Sequence, residues 1–296
     1  MDNRSTNFSR WRCKYLINNI VLFKSKVGDV TKKDLYNALI KIKANECDYL
    51  FIHSELSFGL PNLKLSKKEL LSHILDVFKS LKVKNLLVPT FTFSFCNREE
   101  FDVQKTKSLM GIFSEFFRKQ PDAKRSVEPM MSVSMIGEDT SVIDEIGNVS
   151  CGEGCTYDLL HKKGNTKFLF LGNRMSDCMT YTHYVEVVEN VPYRYPKEFK
   201  GIVINNGVVE EKTYYLHVRY NHVEPFKDRR IDDLVLKNGE GDVILLGDSQ
   251  ICIANEAGVY KCLGQAIKEN PNYMLEYSCP KPPFDDYYVY EKKVAL

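Results

Sequence analysis

The chain has 296 residues, 44% of them apolar and 27% charged, which is enough apolar material for a sizeable core. Its 41 basic and 39 acidic side chains leave a formal charge of +2, which argues against nucleic acid as a partner, because such proteins carry a basic excess. No apolar run approaches the roughly 20 residues that span a bilayer, and an odd set of nine cysteines with no secretory leader reads as thiols in a reducing cytoplasm.

Over residues 7–26, Phe8, Trp11, Tyr15, Ile20 and Phe23 mix with Arg10, Arg12, Lys14 and Lys24. That is the pattern of an amphipathic surface anchor, or of a helix packed on its own domain or on a second subunit. Residues 1–30 are therefore taken as an N-terminal appendage. Thr31 and Asp34 frame a helix start, with Leu35, Leu39 and Ile40 at helical spacing. Asp48 to Ser54 reads as a buried strand. Ser66 and Glu69 form a second capping box, followed by the apolar face Leu70, Leu71, Ile74, Leu75 and Phe78. Asn85 to Pro89 is a second strand, so strand, helix and strand predict a βαβ unit with a parallel pair. Helices are expected at 108–119, 180–190 and 255–268, and strands at 167–171 and 242–246. Ile202–Ile204, the turn Asn205-Asn206-Gly207 and Val208–Val209 predict a hairpin. The expected fold is α/β, a mixed and partly parallel central sheet with helices on both faces. One domain is expected over 31–279, with a tail at 280–296.

Familiar nucleotide signatures are missing, both Gly-x-Gly-x-x-Gly after a strand and Gly-Lys-Ser/Thr, and so is a Gly-x-Ser-x-Gly elbow. Cys151 and Cys155 lack the second ligand pair a metal site needs, so no metal is expected. Of the six histidines, His73 and His161 read as structural or solvated. If 180–190 is helical, Thr180, His183 and Glu186 share one face, and a hydroxyl, an imidazole and a carboxylate together are what proton transfer requires. A hydrogen-bonded core histidine is the other reading of the same spacing.

An ordered series of short segments resembles the aminoglycoside 3-N-acetyltransferase family over roughly residues 31–275. It runs through His53-Ser54-Glu55-Leu56-Ser57, Val88-Pro89-Thr90-Phe91-Thr92, Phe101-Asp102, Met110-Gly111 with Glu115 and Phe117-Arg118, and Arg125-Ser126 with Pro129 and Ser132. Gly137, Gly152, Gly154, Leu171-Gly172 and Thr180…His183…Glu186 complete it. There are departures. Glu128-Pro129 stands where antibiotic-modifying members tend to have His-Pro, Cys155-Thr156 replaces Ser-Pro, and residues 90–95 are unusually aromatic. These details look more like members associated with surface-polysaccharide biosynthesis.

The resemblance implies direct acetyl transfer from acetyl-coenzyme A, with no acyl-enzyme and no metal. His183 would be the general base and Glu186 or Glu224 its acidic partner. Thr180 and nearby amides would face the oxyanion, and His53, Ser54, Ser57, Arg118, Arg125 and Ser126 would hold coenzyme A. The expected acceptor is the amine of an amino sugar, most simply a nucleotide-linked one for O-antigen-type polysaccharide. An aminoglycoside is the alternative within the same class, and a non-catalytic coenzyme A or sugar-binding protein is the alternative outside it. The expected setting is cytoplasmic, as a homodimer without nucleic acid or membrane partners.

Overall fold

The computed structural model describes residues 18–279 and 287–288. A hairpin of β1 (Val21–Ser25) and β2 (Gly28–Thr31) leads into α1 (Lys32–Lys41). The expected βαβ unit follows as β3 (Tyr49–Ser54), a short β4 (Leu60–Pro61), α2 (Lys67–Ser80) and β5 (Asn85–Pro89). Next come β6 (Phe101–Asp102), α3 (Gly111–Phe117), β7 (Lys124–Arg125), β8 (Val133–Gly137), α4 (Ser141–Asp144), α5 (Thr156–Lys163) and β9 (Thr166–Leu171). After α6 (Met175–Cys178) and α7 (Tyr181–Val188), the chain forms the long hairpin β10 (Arg194–Asn205) and β11 (Val208–Arg219). It closes with α8 (Arg230–Lys237), β12 (Gly241–Leu246), β13 (Ser249–Asn255) and α9 (Glu256–Glu269).

Both capping boxes form. Thr31 and Ser66 accept the backbone N–H of Asp34 (3.1 Å) and Glu69 (3.2 Å), and the two carboxylates accept the cap N–H groups in return. The central sheet has seven strands in the order β12-β13-β9-β3-β5-β8-β7. It is parallel at β9-β3-β5 and antiparallel on either side. Side chains alternate across it with period two. Phe51, Phe168 and Phe170 face a core shared with Leu160, Tyr181 and Leu263 of α5, α7 and α9. Leu50, Ile52 and Leu169 face the opposite core, shared with Leu35, Leu70 and Phe113 of α1, α2 and α3. The result is the mixed sheet with helices on both faces that the sequence predicts. Among the described residues, no helix is long and apolar enough to cross a membrane.

Two expectations change, and the third, the tail, lies mostly outside the described residues. Of the supposed appendage, residues 1–17 lie outside the described residues, but 21–31 are a strand pair whose Leu22, Phe23 and Val30 are buried in the core. The apolar residues there are a consecutive run, Ile20, Val21, Leu22 and Phe23, with Leu22 and Phe23 both buried at a register shift in the strand. The 202–209 hairpin is far longer than expected, because its outer residues are charged or half-exposed and carry little apolar signal. Its loop is Asn206-Gly207, both at positive φ, as a two-residue hairpin turn demands. Of the tail, only 287–288 are described, with the Tyr288 N–H donating to the Tyr195 hydroxyl at 2.9 Å.

Glu128, where the family resemblance breaks, has a structural task. It is buried, and its carboxylate accepts from the Met130 and Met131 N–H groups and the Ser150 hydroxyl. Burial pushes its pKa up to about 7 against the pull of those three donors. Glu128→Ala orphans all three and is expected to cost about 1–3 kcal/mol or more in urea unfolding.

Candidate active site

Ligands of open α/β sheets bind beyond the carboxyl ends of the strands, where neighbouring connections diverge. Here β9 ends at Leu171, and Gly172 turns the chain with φ +86. A Cβ at 172 would overlap the Glu55 carbonyl oxygen. Gly172→Ala is therefore expected to destabilise by about 1–3 kcal/mol, measurable as a shifted denaturant midpoint. Beyond this turn, α6 and α7 carry the chain over one wall of a cavity of about 280 Å³.

His183 lines that cavity from the first turn of α7, and its side chain is 40% exposed. Its Nδ1 lies 2.9 Å from Glu186 Oε2 and 2.9 Å from an Arg194 guanidinium nitrogen. That Arg194 nitrogen already has Glu186 as acceptor at 2.8 Å. The carboxylate is the stronger attraction for an Nδ1 proton, and this tautomer leaves Nε2 with the lone pair. Glu186 is buried, and also accepts the Tyr193 hydroxyl at 2.8 Å and Arg194 Nε at 3.0 Å. Burial alone would raise its pKa, but Arg194 and His183 outweigh that and hold it down to about 2. For His183, shielding from bulk water and then Arg194 lower the pKa, against a smaller upward pull from Glu186. The imidazole is thus neutral near pH 7 and poised to accept a proton.

A family model for aminoglycoside 3-N-acetyltransferases matches residues 73–265, well over half of the chain. The chain belongs to this family. It is an N-acetyltransferase that draws on acetyl-coenzyme A. No curated protein sequence matches it. Several solved structures share the fold of this acetyltransferase. Aminoglycoside acetyltransferase AAC(3)-Xa superposes with a TM-score of 0.68 at 20% identity, covering 81% of this chain and 93% of its own. AAC-IIIb in binary complex with CoASH gives 0.67 at 17%, covering 85% and 99%. A histidine-to-alanine mutant of AAC(3)-IVa in complex with a gentamicin gives 0.66 at 17%, covering 82% and 90%.

Thr180, His183 and Glu186 come together as the spacing predicts. Thr180 lines the same cavity, and its hydroxyl donates to the Cys178 carbonyl at 3.3 Å. Glu224 does not join them. It is exposed and ion-paired with Lys227 at 3.0 Å, so of the two acids left open by the sequence, Glu186 is the one at His183.

The six residues expected at coenzyme A divide in two. His53 and Ser54 end β3, and His53 Nε2 and Ser54 Oγ are buried with no hydrogen-bond partner among the described residues. Ser57 Oγ donates to the Gly172 carbonyl at 2.9 Å and meets Ser249 Oγ at 3.0 Å. Both partners line a second cavity of about 570 Å³ that touches the first at Asp177. Arg118, Arg125 and Ser126 are instead committed internally. Arg118 holds Glu115 with two nitrogens (2.6 and 2.8 Å) and donates to the Gln104 carbonyl. Arg125 is buried and donates to the carbonyls of Thr90 (2.6 Å), Val103 (3.2 Å) and Thr106 (2.6 Å). The Ser126 hydroxyl accepts the Val133 N–H at 2.9 Å. Among the described residues, no group of three or more His, Cys, Asp or Glu is placed to hold a metal.

Sequence reasoning missed Tyr193, Arg194 and Arg219. Arg194 and Arg219 lie directly opposite each other across the hairpin, and both line the His183 cavity.

Proposed function

We propose that this acetyltransferase acylates the amine of an amino sugar by direct attack, with His183 Nε2 as the general base. The observation that carries the reading is the buried Glu186 carboxylate on His183 Nδ1, which frees Nε2 in a cavity. As the amine nitrogen bonds to the thioester carbonyl carbon, Nε2 takes its proton. Glu186 stabilises the imidazolium that forms, the carbon–sulfur bond breaks, and the departing thiolate takes the proton from Nε2 and leaves as the thiol. The Thr180 hydroxyl, which lines the cavity and makes a long bond to the Cys178 carbonyl, is the side-chain donor suited to the developing oxyanion. The second cavity, whose wall includes Gly172 and Ser249, the two hydrogen-bond partners of Ser57, suits the arm of coenzyme A.

The family supports an aminoglycoside as the amino sugar, and the gentamicin in the AAC(3)-IVa complex is a bound example from a structural neighbour. The charge of the cavity favours a second reading, an amino sugar joined to an anion such as a nucleotide. Polycations need an acidic pocket. Here the carboxylates of Glu186 and Asp177 are already neutralised by Arg194 and Arg174. Thiol release from acetyl-coenzyme A, with aminoglycosides and nucleotide-linked amino sugars as acceptors, tests both readings. Turnover is expected with at least one class. Silence across the whole panel would favour a non-catalytic binding protein.

A further inference from the structure

Resting on the amino-sugar reading, we infer that the cavity contains an anion subsite built on Arg219, and that the acceptor carries a phosphate or carboxylate besides its amine. Arg219 sits at the end of β11 and lines the cavity with His183. No carboxylate, carbonyl or hydroxyl among the described residues accepts a hydrogen bond or ion pair from it, although a guanidinium offers five N–H donors. Its cross-strand neighbour is Arg194. Residues paired across a hairpin project from the same face, and like charges placed so repel. Glu186 cancels Arg194 through two nitrogens, and also serves His183 and Tyr193. Asp177, the cavity's other carboxylate, is held by Arg174 at 2.7 and 2.8 Å. Among the described residues one positive charge is therefore left over, partly buried at the site, and partial desolvation and Arg194 both lower its pKa.

A planar fork with free donors matches the paired oxygens of phosphate or carboxylate. Such a group on the acceptor would supply the missing counter-charge and anchor the sugar with its amine beside His183. A purely cationic acceptor would add to the repulsion.

The test is steady-state kinetics on the full chain with Arg219→Gln and Arg219→Lys. Because no described group accepts from Arg219, neither change orphans a partner among them. Acceptors are amino sugars presented free, with a carboxylate, as the sugar phosphate and as the nucleoside diphosphate conjugate. The expected result is that Arg219→Gln lowers the selectivity for an anionic over a free sugar by about 10- to 100-fold. The loss should lie in acceptor KM, with KM for acetyl-coenzyme A unmoved and partial rescue by lysine. The best anionic form identifies whether phosphate or carboxylate is read. An unchanged selectivity ratio overturns the subsite. So does a rise in KM for acetyl-coenzyme A, which would turn the guanidinium toward the donor, or an equal fall in kcat for every acceptor, which would place it at the thioester carbonyl. Isothermal titration of the same sugars separates the two levels of the argument. Arg219-dependent binding without turnover fails the transferase reading alone, and turnover indifferent to Arg219 fails the subsite alone.

Discussion

Replacing His183 with alanine is expected to lower kcat by about 10²–10⁴, with binding of coenzyme A retained. The loss is large because no second base among the described residues lies within the same geometry. Glu186, the one carboxylate among them that touches His183, is held at a pKa of about 2 by Arg194 and His183 despite its burial. A base that weak cannot take a proton from an ammonium. The pH profile supplies a second check. Shielding by the cavity walls, then the Arg194 charge, keeps the imidazole below its ordinary 6.5. The acid limb of kcat/KM attributable to this group is therefore expected below that value, and disappears in His183→Ala. Near-wild-type turnover in the variant would remove His183 from the reaction.

The second large effect is on folding. Glu186→Ala leaves Arg194, whose side chain is only 7% exposed, without its carboxylate. It also orphans the Tyr193 hydroxyl. Breaking one side of a buried pair costs about 3–5 kcal/mol, measurable by urea denaturation. Glu186→Gln is the gentler probe: it keeps the shape but removes the charge that supports the imidazolium, so rate falls more than stability. The acid dependence has a definite sign. A carboxylate whose pKa drops from 4.5 to about 2 on folding contributes stability that is complete above pH 4.5 and is lost as pH falls toward 2. That component should vanish in Glu186→Gln. Its persistence would mean that other carboxylates carry it.

Much of this was legible in the chain itself, wherever a local rule acts alone. Thr31 with Asp34 and Ser66 with Glu69 are reciprocal caps that need no tertiary context, and both form. The three-residue spacing of Thr180, His183 and Glu186 is by itself enough to put the imidazole beside the carboxylate, though not to tell a proton acceptor from a hydrogen-bonded core histidine. What was hidden depends on contacts distant in sequence. Arg118 and Arg125 resemble phosphate ligands because arginine is the usual choice, yet nothing local reveals that carbonyls from Val103 to Thr106 occupy them. Arg194 and Arg219 were missed although a signal existed. They stand equidistant from Asn206-Gly207, so extending the two-residue hairpin outward places one opposite the other. The short β8 was missed because Val133–Gly137 offers only five residues, one of them serine and one glycine.

The long hairpin has a consequence for how such an enzyme changes. His183 and Glu186 ride on α7, whose Tyr181 and Val185 are sunk in the main core, while Arg194 and Arg219 come from a ribbon whose strand partner outside itself, among the described residues, is the two-residue β6. On the reading proposed above, α7 supplies the proton acceptor, while the ribbon supplies Arg219 for the acceptor molecule and Arg194 as the counter-ion of Glu186. On that reading, a change at Arg219 alters which molecule is accepted, whereas a change at Arg194 on the same ribbon also disturbs Glu186 and His183.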